Sequence, residues 1–235
     1  MPPRSRQTIR GARACHTGLV FIAAILFSTS HLPGAIILGV RATTDMGSGF
    51  NTNLDNTVNG TGLSKHSLTA THGASIPTNA WVSSGPLTGI ITFFLGSNVF
   101  LDSFSFWNLN DGGPGRAGST GIASVAVLTS LDGTVYTPLP GGPTTFAQVP
   151  GSSNLPPEIF TFPPVSASFV RFRVNGNHGD TSRTGFAEAA FNAAVPEPSV
   201  ATLIGCALLG LLQSSRNRRN ALRISVSSPS DRALP

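Results

Sequence analysis

Residues 89–95 read Gly89-Ile90-Ile91-Thr92-Phe93-Phe94-Leu95, and after Gly96 residues 101–108 read Leu101-Asp102-Ser103-Phe104-Ser105-Phe106-Trp107-Asn108. The first run is short, β-branched and aromatic, and nearly all apolar, which is the composition of a strand in a sandwich core. The second alternates, with Phe104, Phe106 and Asn108 on one face and Ser103, Ser105 and Trp107 on the other. A period of two sends successive side chains to opposite faces of a strand, whereas a helix would need a period near 3.6.

The same pattern extends in both directions. Ile36 to Ala42 is apolar and β-branched and is expected to be a first strand. Ser124 to Ser130 reads as another, turning through Leu131-Asp132-Gly133 into Thr134 to Leu139 as a hairpin. Val170, Phe172 and Val174 alternate with Arg171 and Arg173, which predicts a half-buried strand with one wet face. Phe186 to Phe191 is expected to be the last strand. Gly and Pro punctuate residues 41–195 too often for long helices. The expected fold is all-β, an antiparallel β-sandwich or jelly roll.

Both ends of the chain have a different character. Arg4, Arg6, Arg10 and Arg13 precede the apolar run Gly18 to Phe27, followed by Ser28-Thr29-Ser30, so residues 1–30 are expected to be a secretory signal peptide. At the other end, Val195-Pro196-Glu197-Pro198 leads into an uncharged apolar run to Leu212, then Arg216, Arg218 and Arg219. Two prolines in three residues cannot continue a strand ladder, because each lacks an N–H. An arginine costs roughly 2.5–3.5 kcal/mol to place mid-membrane, which holds that end on the cytoplasmic side of a transmembrane helix. This order of Pro-Glu-Pro, apolar helix and basic cluster resembles the PEP-CTERM sorting signal of exported bacterial surface proteins. The resemblance covers residues 195–219 and implies processing by an exosortase. A plain membrane anchor or a core helix are the other readings of the apolar run. Residues 220–235 are expected to form a short cytoplasmic or disordered tail.

Charge must be read without those ends. Of fifteen Lys and Arg residues, four precede residue 14 and five follow residue 215, leaving six between 41 and 195 against eight acids. The domain is therefore slightly acidic, and the formal charge of +5 gives no basis for a nucleic-acid partner. Cys15 and Cys206, the two cysteines, both fall in the targeting segments, so the domain has no disulfide and no thiolate chemistry.

Several motifs, taken in order, resemble a discoidin-like (F5/8 type C, galactose-binding-like) domain over residues 31–194. They are Asn53-Leu54-Asp55, Asn59-Gly60-Thr61-Gly62-Leu63-Ser64, Trp81 and Ile91 to Ser97, then Phe106 to Asn110, Val125 to Thr129 and Ser130-Leu131-Asp132-Gly133. Phe169 to Phe172, Asn175 to Gly179 and Gly185-Phe186-Ala187-Glu188 complete them. The pattern departs from the family at Phe94, Ala117 and Ala189-Ala190. The resemblance implies a sandwich whose end loops bind a ligand, most often carbohydrate, with a structural Ca2+ ion. Asp55 and Glu188 are then the expected metal ligands, helped by carbonyls of the Asn51 to Asn59 loop. Otherwise Asp55 caps an Asx turn and Glu188 pairs with an arginine.

For a sugar, two loops carry suitable planar polar groups: Asn110, Asp111 and Arg116 in one, Asn177, His178 and Asp180 in the other. Trp81 and Trp107 are candidate stacking platforms, with Trp107 also fitting the core. His66, His72 and His178 form no metal pattern and are expected in solvated loops. No paired carboxylates or nucleophile elbow are present, so no enzyme is expected. The expected protein is exported, anchored in the inner membrane during sorting and then placed at the cell surface or in extracellular matrix. Its expected partners are the exosortase, the membrane and an extracellular polysaccharide. A structural matrix protein without a ligand, and a jelly-roll glycan enzyme, are the alternatives.

Overall fold

The computed structural model describes residues 35–110, 118–149, 151 and 154–194, all within one unit of the chain, Leu32–Pro235. The signal peptide, the sorting signal with Val195 to Arg219, and the loop residues Asp111 and Arg116 lie outside them. Among the described residues no helix is long and apolar enough to cross a membrane.

The described residues form eight strands: β1 (Ala35–Ile36), β2 (Arg41–Thr44), β3 (Trp81–Val82), β4 (Gly89–Asn108), β5 (Ile122–Ser130), β6 (Thr137–Pro138), β7 (Glu158–Asn177) and β8 (Gly185–Ala193). All strand pairings are antiparallel. A single 3-10 turn, Leu54–Thr57, lies in the long connection between β2 and β3.

The two runs quoted at the outset belong to one strand. β4 and β7 are each 20 residues long and pair along most of their length. Their register slips between Phe94 and Val99, where Gly96 takes φ 86°. There both strands pass from one layer to the other. The first layer is β2, the first half of β4, the second half of β7, then β5 and β6. The second is the first half of β7, the second half of β4, then β8, flanked by β1 and β3. The sandwich is thus one continuous sheet folded over on itself. Pro163 and Pro164 sit where the β4–β7 register slips again, on the edge of the second layer, so no ladder bond is lost to their missing N–H groups.

Phenylalanine rings fill the space between the layers. Phe93 of the first layer meets Phe191 of the second at 5.1 Å, and Phe172 meets Phe104 at 5.6 Å. Phe146, from the connection after β6, stacks on Phe106 at 3.8 Å. Each such pair adds about 0.5–1.5 kcal/mol to the burial of its area. A second apolar cluster lies on the outer side of the second layer. There Trp107, Ala187 and Ala190 are covered by Ala70, Ala80 and Leu155 from the long connections. The whole stretch Ser103 to Asn108 is therefore buried on both faces.

One expectation needs correction. Ile36 to Ala42 is not one strand: β1 joins β8 and β2 joins β4, with Gly39 at φ 73° between them. The serine face of residues 103–108 is buried as well, and Ser105 Oγ donates to the Leu68 carbonyl at 2.7 Å beneath the 59–80 loop.

Candidate functional site

Because β4 folds over, its two ends lie at the same end of the sandwich. Asn108 is opposite Phe186 at the start of β8, and Gly89 is opposite Val174 near the end of β7. The loops at 45–52, 83–88, 118–121 and 177–184 gather there. Gly49 N–H donates to the Val82 carbonyl, Thr184 Oγ1 to the Leu87 carbonyl, and His178 N–H to the Gly121 carbonyl. Ala194 is at the opposite end, where its N–H meets the Phe100 carbonyl.

Two side chains at the loop end form a pair that sequence reasoning missed. Phe50 is 59% exposed, and the Arg183 guanidinium lies 3.6 Å above its ring centroid. Phe50 and Asn51 both adopt left-handed backbone, at φ 52° and 56°, which costs on the order of 1–3 kcal/mol at a non-glycine position. The turn is held in place by Thr52, whose N–H and Oγ1 both donate to the Gly49 carbonyl. Arg183 is fixed from the other side. Asp180 Oδ1 accepts from the Arg183 N–H at 2.9 Å, and Asn177 Nδ2 donates to the Arg183 carbonyl at 2.6 Å. The only hint in the sequence was Phe50-Asn51 behind a glycine; nothing linked it to a residue 133 positions away.

The expected ligand-binding residues are placed as follows. Asn177 spends its side chain within its own loop, on the Asp180 and Arg183 carbonyls and the Gly179 N–H. His178 Nε2 lies 3.1 Å from the Phe146 carbonyl. Asn110 is buried and accepts from the Ser75 N–H at 2.9 Å. Thr120 Oγ1 donates to Asp180 Oδ2 and the Asp180 N–H to the Ser119 carbonyl, so the 177–184 loop meets residues 118–121, while Asp111 and Arg116 lie outside the described residues. The tryptophans are not platforms: both are fully buried, with Trp81 Nε1 donating to the Gly47 carbonyl and Trp107 Nε1 to the Ala70 carbonyl. His72 is not solvated either. It is fully buried, with Nδ1 2.8 Å from the Gly73 carbonyl and Nε2 3.1 Å from the Asn79 carbonyl, and burial lowers its pKa.

Glu188 and Asp55 differ sharply. Glu188 is 1% exposed; its Oε1 accepts the Gly60 N–H at 2.9 Å, and its Oε2 is buried without a partner. Burial drives its pKa up to about 8, against a smaller lowering by the Gly60 bond. An orphaned carboxylate oxygen of this kind fits a cation. Asp55 is exposed in the 3-10 turn packed against β8, and its own N–H is capped by Asn53 Oδ1. Among the described residues no three His, Cys, Asp or Glu side chains converge as a metal site, so backbone carbonyls would have to complete any coordination.

No protein-family model and no curated protein matches the chain. Solved structures with similar folds include the CBM32-5 module of CpGH89 from Clostridium perfringens, in complex with GalNAc-β-1,3-galactose. It is 14% identical, covering 68% of this chain and 100% of that one, at TM-score 0.47. CBM32-1 from a family 31 glycoside hydrolase of Clostridium perfringens is 12% identical, covering 67% and 96% at TM-score 0.48. The family 32 module of Clostridium perfringens NanJ, in complex with galactose, is 15% identical, covering 68% and 98% at TM-score 0.45.

Proposed function

We propose that this chain is an exported, non-catalytic carbohydrate-binding protein of the cell surface or extracellular matrix, sorted by an exosortase and contacting polysaccharide through its loop end. The observation that carries the binding role is the exposed Phe50 ring under the Arg183 guanidinium. A sugar has an apolar ring face and a rim of hydroxyls. An aromatic ring takes the first, and a fixed planar donor array takes the second. The strained Phe50-Asn51 turn keeps the ring out of the core, where burial would otherwise draw it.

The export reading is supported by the basic, apolar and small-residue order of residues 1–30 and by the Pro-Glu-Pro, apolar and arginine order of residues 195–219. The metal reading is supported by Glu188 Oε2. A calcium ion there, held also by carbonyls of the 51–59 loop, would supply the positive charge that this buried carboxylate lacks. Asp55 takes part only if its exposed carboxylate turns inward.

The test is a panel of neutral and acidic glycans against the full-length chain, with Phe50→Ala and Arg183→Ala compared with the wild type. Truncating a central aromatic or arginine contact is expected to weaken saturable binding tenfold or more. Unchanged affinity in both variants removes the site, and no saturable binding to any glycan removes the function.

A further inference from the structure

The outer face of the first layer carries a second candidate surface. Alternation places Arg41 and Thr43 of β2, Ile90, Thr92 and Phe94 of β4, and Phe169, Arg171 and Arg173 of β7 on this one face. Arg41 pairs with Phe94 and Phe94 with Phe169, so a cation and two rings form one row across three strands. The rings lie 5.1 Å apart, and Phe94 is 37% exposed. Between them and Arg41, Thr43 and Thr92 is an open hollow of about 330 Å³. The next row holds Thr43, Thr92 and Arg171. Arg171 is fixed before any ligand arrives: its guanidinium lies 3.5 Å above the Tyr136 ring, and its Nε donates to Thr92 Oγ1 at 3.2 Å. Arg173, exposed, follows two residues on, which on a strand is about 7 Å away.

Charge sets this face apart. The region 41–195 has six basic residues against eight acids, yet three of the six are these arginines. The acids at its margins are engaged elsewhere. Asp45 Oδ1 accepts the Ile90 N–H, and Asp132 Oδ1 accepts the N–H groups of Thr134 and Val135.

We infer that this face is a second binding surface, for a polysaccharide bearing uronate carboxylates, lying across the strands. Guanidinium forks match carboxylates in bidentate fashion, the Phe94–Phe169 pair accepts the apolar side of a ring, and Thr43 and Thr92 offer hydroxyls. An acidic glycan adds charge pairing with three clustered cations to the hydrogen bonds that a neutral one could also make, so the chemistry favours acidic chains. The inference is independent of the loop-end site, because no residue is shared.

The experiment measures binding of the full-length chain to polygalacturonate, with dextran as the neutral control and phosphatidylglycerol vesicles as the lipid control, at 50 mM and 500 mM salt. The wild type is expected to bind polygalacturonate, at least tenfold more weakly at high salt. The R41A/R173A double variant and Phe94→Ala are each expected to lose tenfold or more, while Lys65→Ala, which removes an exposed cation outside both surfaces, binds polygalacturonate like the wild type. All three are surface changes, and an unchanged melting temperature shows that the fold is kept. Equal binding by wild type and double variant overturns the proposal. So does tighter binding to the vesicles than to polygalacturonate, or an equal loss in Lys65→Ala.

Discussion

Glu188, which lies beneath the 59–80 loop, and His72, which belongs to that loop, are shifted in directions that favour the neutral form of each. Burial raises the carboxyl to about 8 and lowers the imidazole. The two linkages have opposite signs. For Glu188 the folded state holds its proton more tightly than the unfolded chain, so stability is fullest at low pH and is lost as pH rises from near 4.5 through about 8. For His72 the unfolded chain binds the proton more tightly, so stability is full above about pH 6.5 and is lost as pH falls. In chelator, thermal melts are expected to show a maximum between these limbs. Glu188→Gln keeps an acceptor for the Gly60 N–H and should flatten the alkaline limb. The expected gain is a few kcal/mol at pH 9, because a tenfold change in proton affinity is worth roughly 1.4 kcal/mol. Calcium should raise the wild-type melting temperature at pH 8 and leave Glu188→Gln unmoved. An equal calcium effect in both would remove Glu188 from the metal site. The burial of His72 was not legible in the sequence: it looks like any polar loop residue, and the packing of Gly62 and Asn79 against its ring helps to enclose it.

At the scale of elements, one residue ties three segments at the loop end. Asn108, at the end of β4, donates to the Ile122 and Ala147 carbonyls and accepts from the Ile122 and Leu109 N–H groups. It is 1% exposed, so Asn108→Ala leaves buried backbone groups unsatisfied at about 1–3 kcal/mol each. A total loss of roughly 3–5 kcal/mol is expected in denaturant titration, and a loss below about 1 kcal/mol would show that water replaces the side chain. Local pattern located the strands well where one face is wet. Val170, Phe172 and Val174 against Arg171 and Arg173 were read correctly as a half-buried strand, as was the Leu131-Asp132-Gly133 turn, where Ser130 Oγ accepts from Asp132 and Gly133. It says less where both faces are dry. Residues 103–108 still alternate in sequence, but the long loop covers the second face, so alternation there marks two cores rather than a core and a surface. The first half of β7 was missed because Pro163-Pro164 reads as a break, and only its edge position makes them tolerable.

For the whole molecule, the fold-over of β4 and β7 sends the loops to one end and Ala194 to the other. Ala194 therefore lies at the end opposite Phe50 and Arg183. With the sorting reading, the mature protein recovered from the cell surface is expected to end near Pro198 by intact mass, without residues 1–30. Recovery of the intact 235-residue chain from the cytosol would overturn it. What the sequence determined by itself is the class of the fold: period-two alternation, glycine punctuation and the absence of a helical repeat admit only antiparallel strands. The charge and apolarity of the two tails likewise stand apart from the domain in composition alone. Tertiary structure alone decided the sites. Phe50 meets Arg183, and Arg41 joins Arg171 and Arg173, across distances in sequence that local periodicity does not span. The burial of Trp81, Trp107, His72 and Glu188 depends on which loop covers which face. Such choices are made by long-range packing, where the free energy lies in contacts between segments rather than in the segments themselves.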